Sequence, residues 1–139
     1  MSVMSRQSLI NDFIIDVRND KFFPIKVISD SWDKYSHNIY INFWNDDNSK
    51  MIAFGMIRGW DEGWDEKVLG LIVHPDERGH GLGTFVIQEL ENEAREEGVT
   101  QLRLHVSPQN KTAINLYHKM GYHKDGTRED GEWIMRKEL

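Results

Sequence analysis

Ile39, Ile41 and Phe43 interleave with Tyr40, Asn42 and Trp44, a period of two that marks a half-buried strand. A polar turn, Asn45 to Lys50, separates it from a second strand at Met51 to Arg58, so the pair reads as a hairpin. Val68 to Val73 is a short apolar strand, and Leu102, Leu104 and Val106 alternate with Arg103 and His105 as another. Two segments follow helical spacing instead. Between Leu82 and Glu97, Leu82, Phe85, Val86 and Leu90 form an apolar stripe, while Gln88, Glu89, Glu91, Arg95 and Glu96 are expected to face water. Gly98 closes that helix. Between Asn110 and Met120, the residues Ala113, Ile114, Leu116, Tyr117 and Met120 share one face, and Gly121 ends it. Tyr122 to Lys124 opens a last hairpin that turns through Asp125-Gly126 and Asp130-Gly131 and returns as Trp133 to Leu139.

The first fifth of the chain is less regular. Leu9 to Val17 fits a strand or the start of a helix, and Phe22-Phe23-Pro24 is a break. Ser29 to Tyr35 reads as a short helix capped by Ser29 or Asp30. The order strand-helix-strand-helix-strand at the centre is mixed α/β. A chain of 139 residues is expected to be one domain, residues 1–139, with no internal repeat or linker.

Charge and composition narrow the function. The net charge is −6 and no segment gathers Lys and Arg into a stripe, which argues against nucleic acid as the partner. A cationic substrate such as an amine is compatible with that charge. The absence of cysteine excludes a disulfide framework, a thiolate metal site and a covalent cysteine intermediate. His74, His80, His118 and His123 lack partners at metal-ligand spacing, so no metal is expected. No apolar run approaches ~18 residues and the N-terminus lacks a signal-like apolar core, so a cytoplasmic protein without a membrane partner is expected.

The candidate chemistry centres on Val73-His74-Pro75-Asp76-Glu77-Arg78-Gly79-His80-Gly81-Leu82-Gly83-Thr84. Strand, glycine turn and helix in that order place free backbone amides and the positive end of a helix dipole together, as an anion site requires. Gly83 is followed by Thr84 with no lysine, so the P-loop pattern fails. Glycines at 79, 81 and 83 also miss the dinucleotide fingerprint GxGxxG.

What remains, Arg78-x-x-Gly81-x-Gly83, resembles the acyl-CoA pyrophosphate loop of the GNAT (Gcn5-related) N-acetyltransferases. Asn110-x-x-Ala113-x-x-Leu116-Tyr117-x-x-x-Gly121-Tyr122 is similar to the later motif of the same family, and the two occur in the family's order. The resemblance covers Met51 to Tyr122. It implies an α/β GNAT fold, a mixed and mostly antiparallel sheet whose central parallel strand pair is splayed and flanked by helices. It implies acetyl-CoA as donor, with the pyrophosphate on Arg78, Gly79, His80, Gly81, Leu82, Gly83 and Thr84 and the pantetheine along Leu71, Ile72 and Val73. Asn110 matches a residue that caps the second helix and bonds the cofactor. Tyr117 matches the tyrosine that protonates the departing thiolate; read from its helix alone it is a core residue.

The general base is open between His105, whose imidazole would titrate near neutrality, and Glu66 at the start of the preceding strand. Trp60 and Trp64 either wall the acceptor site or pack over the hairpin, and Asp61, Glu62 and Asp65 form a solvated loop or an acceptor rim. The stretch Arg58-Gly59-Trp60-Asp61-Glu62-Gly63-Trp64 resembles one in a GNAT subgroup found near surface-sugar biosynthesis. The implied reaction is direct transfer, in a ternary complex, to a primary amine of a small molecule such as an amino sugar or sugar nucleotide. A protein N-terminus or lysine is the alternative acceptor, and an acyl-CoA-binding sensor without turnover is the alternative of another class. Family members often dimerise, so a homodimer is one expected state.

Overall fold

The computed structural model describes residues 5–31 and 35–139, apart from the side chain at position 30. The ambiguous Leu9–Val17 stretch is helical: α1 spans Arg6–Val17, with the Ser5 hydroxyl accepting from the Ser8 amide as N-cap. Ile10, Phe13 and Val17 lie at helical spacing and are all buried, which decides helix over strand. The next helix corrects the expectation of Ser29–Tyr35. α2 is Lys26–Asp30 and contains Ser29 rather than being capped by it. Its first turn forms on Pro24, whose carbonyl accepts from the Val27 amide, and it buries Val27 and Ile28. Positions 32–34 of the expected helix lie outside the described residues.

The remaining elements follow the hydrophobic pattern closely. They are β1 (Ile39–Trp44), β2 (Met51–Arg58), β3 (Lys67–Val73), α3 (Leu82–Glu96), β4 (Gln101–Val106), α4 (Lys111–Lys119), β5 (His123–Thr127) and β6 (Trp133–Glu138). The six strands form one sheet in the order β1-β2-β3-β4-β6-β5. Every neighbouring pair is antiparallel except β3 and β4.

Helices cover the sheet unevenly. On one face, Val86, Ile87, Leu90 and Ala94 of α3 and Ile114 and Tyr117 of α4 pack on Ile57, Leu69, Leu102, Leu104 and Met135. On the other, α1 and α2 pack on Met51, Phe54, Met56 and Ile72, and this cluster holds no residue of β4, β5 or β6. The second face is therefore roofed over β2 and β3 but not over β4 and β6. That asymmetry leaves Arg103, His105 and Arg136 on an open polar half of the sheet, half-buried among themselves.

Two expectations for α3 are corrected. Phe85 is 49% exposed, its ring edge-on to Phe43 at 6.0 Å between ring centroids. Glu91 is 3% exposed. It shares the inward face with Ile87 and Ala94, and is tolerated there because Lys137 Nζ lies 2.9 Å from both carboxylate oxygens and the Tyr122 hydroxyl donates at 2.9 Å. α3 also approaches α4 at Gly83, where a Cβ would meet Leu116 Cδ2 at 2.8 Å.

Candidate active site

The site begins where the sheet comes apart. β3 and β4 pair only at Lys67–Leu102 and Val68–Arg103, and beyond these the strands diverge. The His74 amide donates to the Ile52 carbonyl, and this fixes the phase of the β2–β3 ladder. By alternation Ile72 and Gly70 turn their backbone groups toward β2, whereas Leu71 and Val73 turn theirs toward the gap. Leu71 and Val73 therefore present main-chain groups to the opening, as expected of a strand that guides an extended ligand. Ile72 does not: its side chain is buried under α1 in the second cluster.

At the mouth of this gap β3 runs into a 3-10 turn, Pro75–Glu77, and then into the glycine loop. Gly79 (φ 84°) and Gly81 (φ 78°) take left-handed conformations that side chains disfavour, and a Cβ at either would point into open space. Gly81 is the N-cap of α3 and contributes no side-chain cap. The first amides of α3, at Leu82, Gly83 and Thr84, thus lack the internal partner that Ser, Thr or Asp would have supplied. Open space and free amides suit a pyrophosphate. His80 is exposed between the two glycines.

The loop is held from behind. Arg78 Nε donates to the Val73 carbonyl at 3.1 Å, and its Nη2 reaches Asp20 Oδ2 at 3.3 Å. His74, 3% exposed, accepts from the Asp76 amide at Nδ1 (3.1 Å), so its proton resides on Nε2 and faces Asp16 Oδ2 of α1 at 2.8 Å. Two bonds therefore tie the end of α1 and the turn after it to the loop. Neither Asp16 nor Asp20 is conspicuous in the sequence. Only the packing of α1 beside β3 brings them there.

α4 closes the same opening from the other side. The Asn110 side-chain carbonyl accepts from the Ala113 amide at 3.3 Å, and its NH2 group has no partner among the described residues. Asn110 is therefore a cap with a donor to spare. The Tyr117 ring is buried and meets Tyr122 edge-on at 6.0 Å. Its hydroxyl makes no hydrogen bond among the described residues, yet no sealed polar atom there lacks a partner, so the oxygen opens on solvent. Burial raises its pKa well above that of an ordinary phenol, which keeps it protonated.

A groove of about 520 Å³ runs along the unroofed face of β4, lined by Trp64, Asp65, Glu66, Arg103, His105 and Arg128. Glu66 is enclosed by two guanidinium groups, with Arg136 Nε at 2.6 Å and Arg103 Nη1 at 2.9 Å. The Arg136 hydrogen bonds, then those of Arg103, hold its pKa at about 2 despite partial burial. A carboxylate held there is a weak base. His105 is pushed down to about 4, first by desolvation and then by Arg128 and Arg103, so the expectation of an imidazole titrating near neutrality is not met. Arg103 Nε donates to His105 Nε2 at 2.8 Å, and Arg128 Nη1 stands 3.0 Å from Nδ1.

The tryptophan loop divides. Trp64 is 43% exposed and lines the groove. Trp60 packs against the α3-side core, with Lys67 Nζ 5.4 Å above its ring. Asp61 is exposed, as expected of a solvated loop, while Glu62 is half-buried, and both make structural hydrogen bonds. Asn38 Oδ1 accepts from the amides of Gly59, Trp60 and Asp61, its NH2 donates to Glu62, and Glu62 pairs with Arg58 at 2.9 Å. Asp61 accepts from the Ser36 hydroxyl and the His37 amide. This loop precedes β3, whose length puts it about 20 Å along the strand from the glycine turn. A second depression, at Gln101, Lys124 and Arg136, lies at that same remote end of the sheet.

Residues 7–122 match the model of the acetyltransferase (GNAT) family. The chain is 45% identical over 62 residues to an uncharacterised N-acetyltransferase of Bacillus subtilis (strain 168), YdgE; the match spans 45% of this chain and 36% of that protein. The fold superposes on the ribosomal-protein-S18-alanine N-acetyltransferase of Escherichia coli with a TM-score of 0.70, at 24% identity over 99% of this chain and 92% of that one. It also matches the PaiA N-acetyltransferase of Thermoplasma acidophilum, solved in complex with coenzyme A, with a TM-score of 0.67 at 20% identity, covering 99% and 81%. The splayed parallel pair, the uncapped glycine turn and the matched span agree: the chain belongs to the acetyltransferase (GNAT) family.

Proposed function

We propose that residues 1–139 act as a single acetyltransferase domain that moves an acetyl group from acetyl-CoA to a primary amine of a small molecule, by direct attack in a ternary complex. One observation carries the reading: an uncapped, glycine-lined helix N-terminus stands at the mouth of a parallel strand pair that separates after two residue pairs. The amides of Gly79 to Thr84 receive the pyrophosphate, with Asn110 donating from the start of α4. The pantetheine lies along Leu71 and Val73, and a main-chain N–H facing the gap accepts the charge that develops on the thioester oxygen. The amine nitrogen attacks the carbonyl carbon, the C–S bond breaks, and the thiolate leaves toward Tyr117. With its pKa raised, Tyr117 supports that sulfur by a hydrogen bond and passes a proton only as solvent replaces it.

The acceptor must lose a proton before attack, and neither Glu66 near 2 nor His105 near 4 is poised to take it at neutral pH. The proton leaves instead through water in the groove. Thiol release from acetyl-CoA against a panel of amines tests the proposal. Release with at least one small amine is expected; tight CoA binding with no release would favour a sensor. Tyr117→Phe should lower kcat about 10-fold or more with little change in the KM for acetyl-CoA, the loss of one hydrogen bond to a charged leaving group. An unchanged kcat would remove the tyrosine from the mechanism.

A further inference from the structure

His105 poses a counting problem. A neutral imidazole has one N–H and one acceptor nitrogen, and a guanidinium only donates. Arg103 and Arg128 nevertheless stand 2.8 and 3.0 Å from its two ring nitrogens. Nε2, the shorter contact, accepts from Arg103, whose other arm is anchored on Glu66. Nδ1 then carries the proton and faces Arg128 donor to donor. Two N–H groups stand 3.0 Å apart, nitrogen to nitrogen, with no acceptor bound to both among the described residues.

Arg128 is poorly held by anything else. Its ion pairs are to Asp130 at 3.9 Å and Glu132 at 3.6 Å, within its own hairpin turn and exposed, and such pairs contribute little. His105 and Arg103, by contrast, are fixed on β4, with Glu66 locked between Arg103 and Arg136. The arrangement is a rigid N–H beside a movable guanidinium, both on residues that line the groove beside β4. A single oxygen of a carboxylate or phosphate would satisfy both donors at once, as charge-assisted bonds.

We infer that His105 Nδ1 and Arg128 form the seat for an anionic group on the acceptor, so that the substrate is a small amine bearing a carboxylate or phosphate. This rests on the acetyl-transfer reading and makes the pair a specificity device rather than part of the bond-making chemistry. It also separates this acceptor from a peptide N-terminus, which carries no fixed anion near its amine.

Matched pairs of acceptors test the inference: glucosamine 6-phosphate against glucosamine for phosphate, and lysine against 1,5-diaminopentane for carboxylate. The member with the anion should show at least a 10-fold higher kcat/KM in one pair, which also identifies the anion. Arg128→Ala should reduce that preference at least 10-fold through the acceptor KM rather than kcat, and Arg128→Lys should restore part of it. Imidazole 15N spectra of the CoA complex provide a readout independent of turnover, since the Nδ1 proton should move downfield when either anionic amine is added. No shift with either amine, or equal kcat/KM within both pairs, overturns the inference. A shift without thiol release leaves the anion seat standing and sinks the transfer reaction instead.

Discussion

Replacing Glu91 by leucine tests the reading that a buried carboxylate clamps the α3 side of the core. Its side chain is 4% exposed, and it holds Lys137 Nζ at 2.9 Å and the hydroxyl of Tyr122, a residue with no exposed surface. Leucine removes both partners. Breaking a buried ion pair by deleting one member costs about 3–5 kcal/mol, but Lys137 keeps 21% of its side chain in water and can partly resolvate. The buried phenol loses its acceptor, at about 1–3 kcal/mol, and leucine regains some apolar burial. The net loss is about 3 kcal/mol. For a domain of this length that is about 10 °C in Tm, readable by calorimetry or circular dichroism. Glu91→Gln retains an acceptor for Tyr122 and should lose less. Lys137→Met in the leucine background should recover part of the loss, because an apolar pair no longer strands a charge. A Tm for Glu91→Leu within 2 °C of the parent, or no recovery from Lys137→Met, would refute the reasoning.

Gly81→Ala places a side chain at φ 78°, a strain of about 1–2 kcal/mol, and a methyl group where the pyrophosphate would lie. The KM for acetyl-CoA should rise severalfold in steady-state assays with kcat much less affected; an unchanged KM would move the donor elsewhere. His105 has a folded pKa of about 4 against 6.5 unfolded, so the fold favours the neutral ring. The stability this confers is complete above pH 6.5 and is lost as pH falls toward 4. His105→Gln should flatten Tm against pH across that window, and parallel curves for parent and variant would contradict the assigned surroundings. The Glu66 contribution should persist through it and disappear only from about pH 4.5 down to about 2.

What the chain shows by itself is local and periodic. Alternation along Ile39–Trp44 and Gln101–Val106, and the two apolar helical stripes, place most elements to within a residue. The glycine turn is legible because left-handed backbone and an uncapped helix start require particular residues at particular positions. α1 was ambiguous because Ile10, Phe13, Ile14, Ile15 and Val17 satisfy a short strand and a helix alike; only the sheet face it covers selects between them. Glu91 read as exposed because a helix stripe records polarity. Nothing at positions 88–96 announces a lysine on β6, 46 residues away.

The site divides the same way. The glycine turn, the Asn110 cap and the apolar face carrying Tyr117 are local features of their helices, while their roles toward a donor rest on the family resemblance. Trp60 and Trp64, four residues apart, part company between core and groove, since a loop has no period from which to read its faces. Asp16, Asp20, Arg103 and Arg128 matter through partners far off in sequence, and tertiary packing alone brings them together. So too with protonation. His105 and Glu66 have ordinary intrinsic chemistry, and the guanidinium groups that the fold crowds around them withdraw both from the base role. The sequence by itself determined the elements and the glycine turn, because those depend on neighbours along the chain. The electrostatics of the groove beside β4 depend on neighbours across it, and only the tertiary structure decided them.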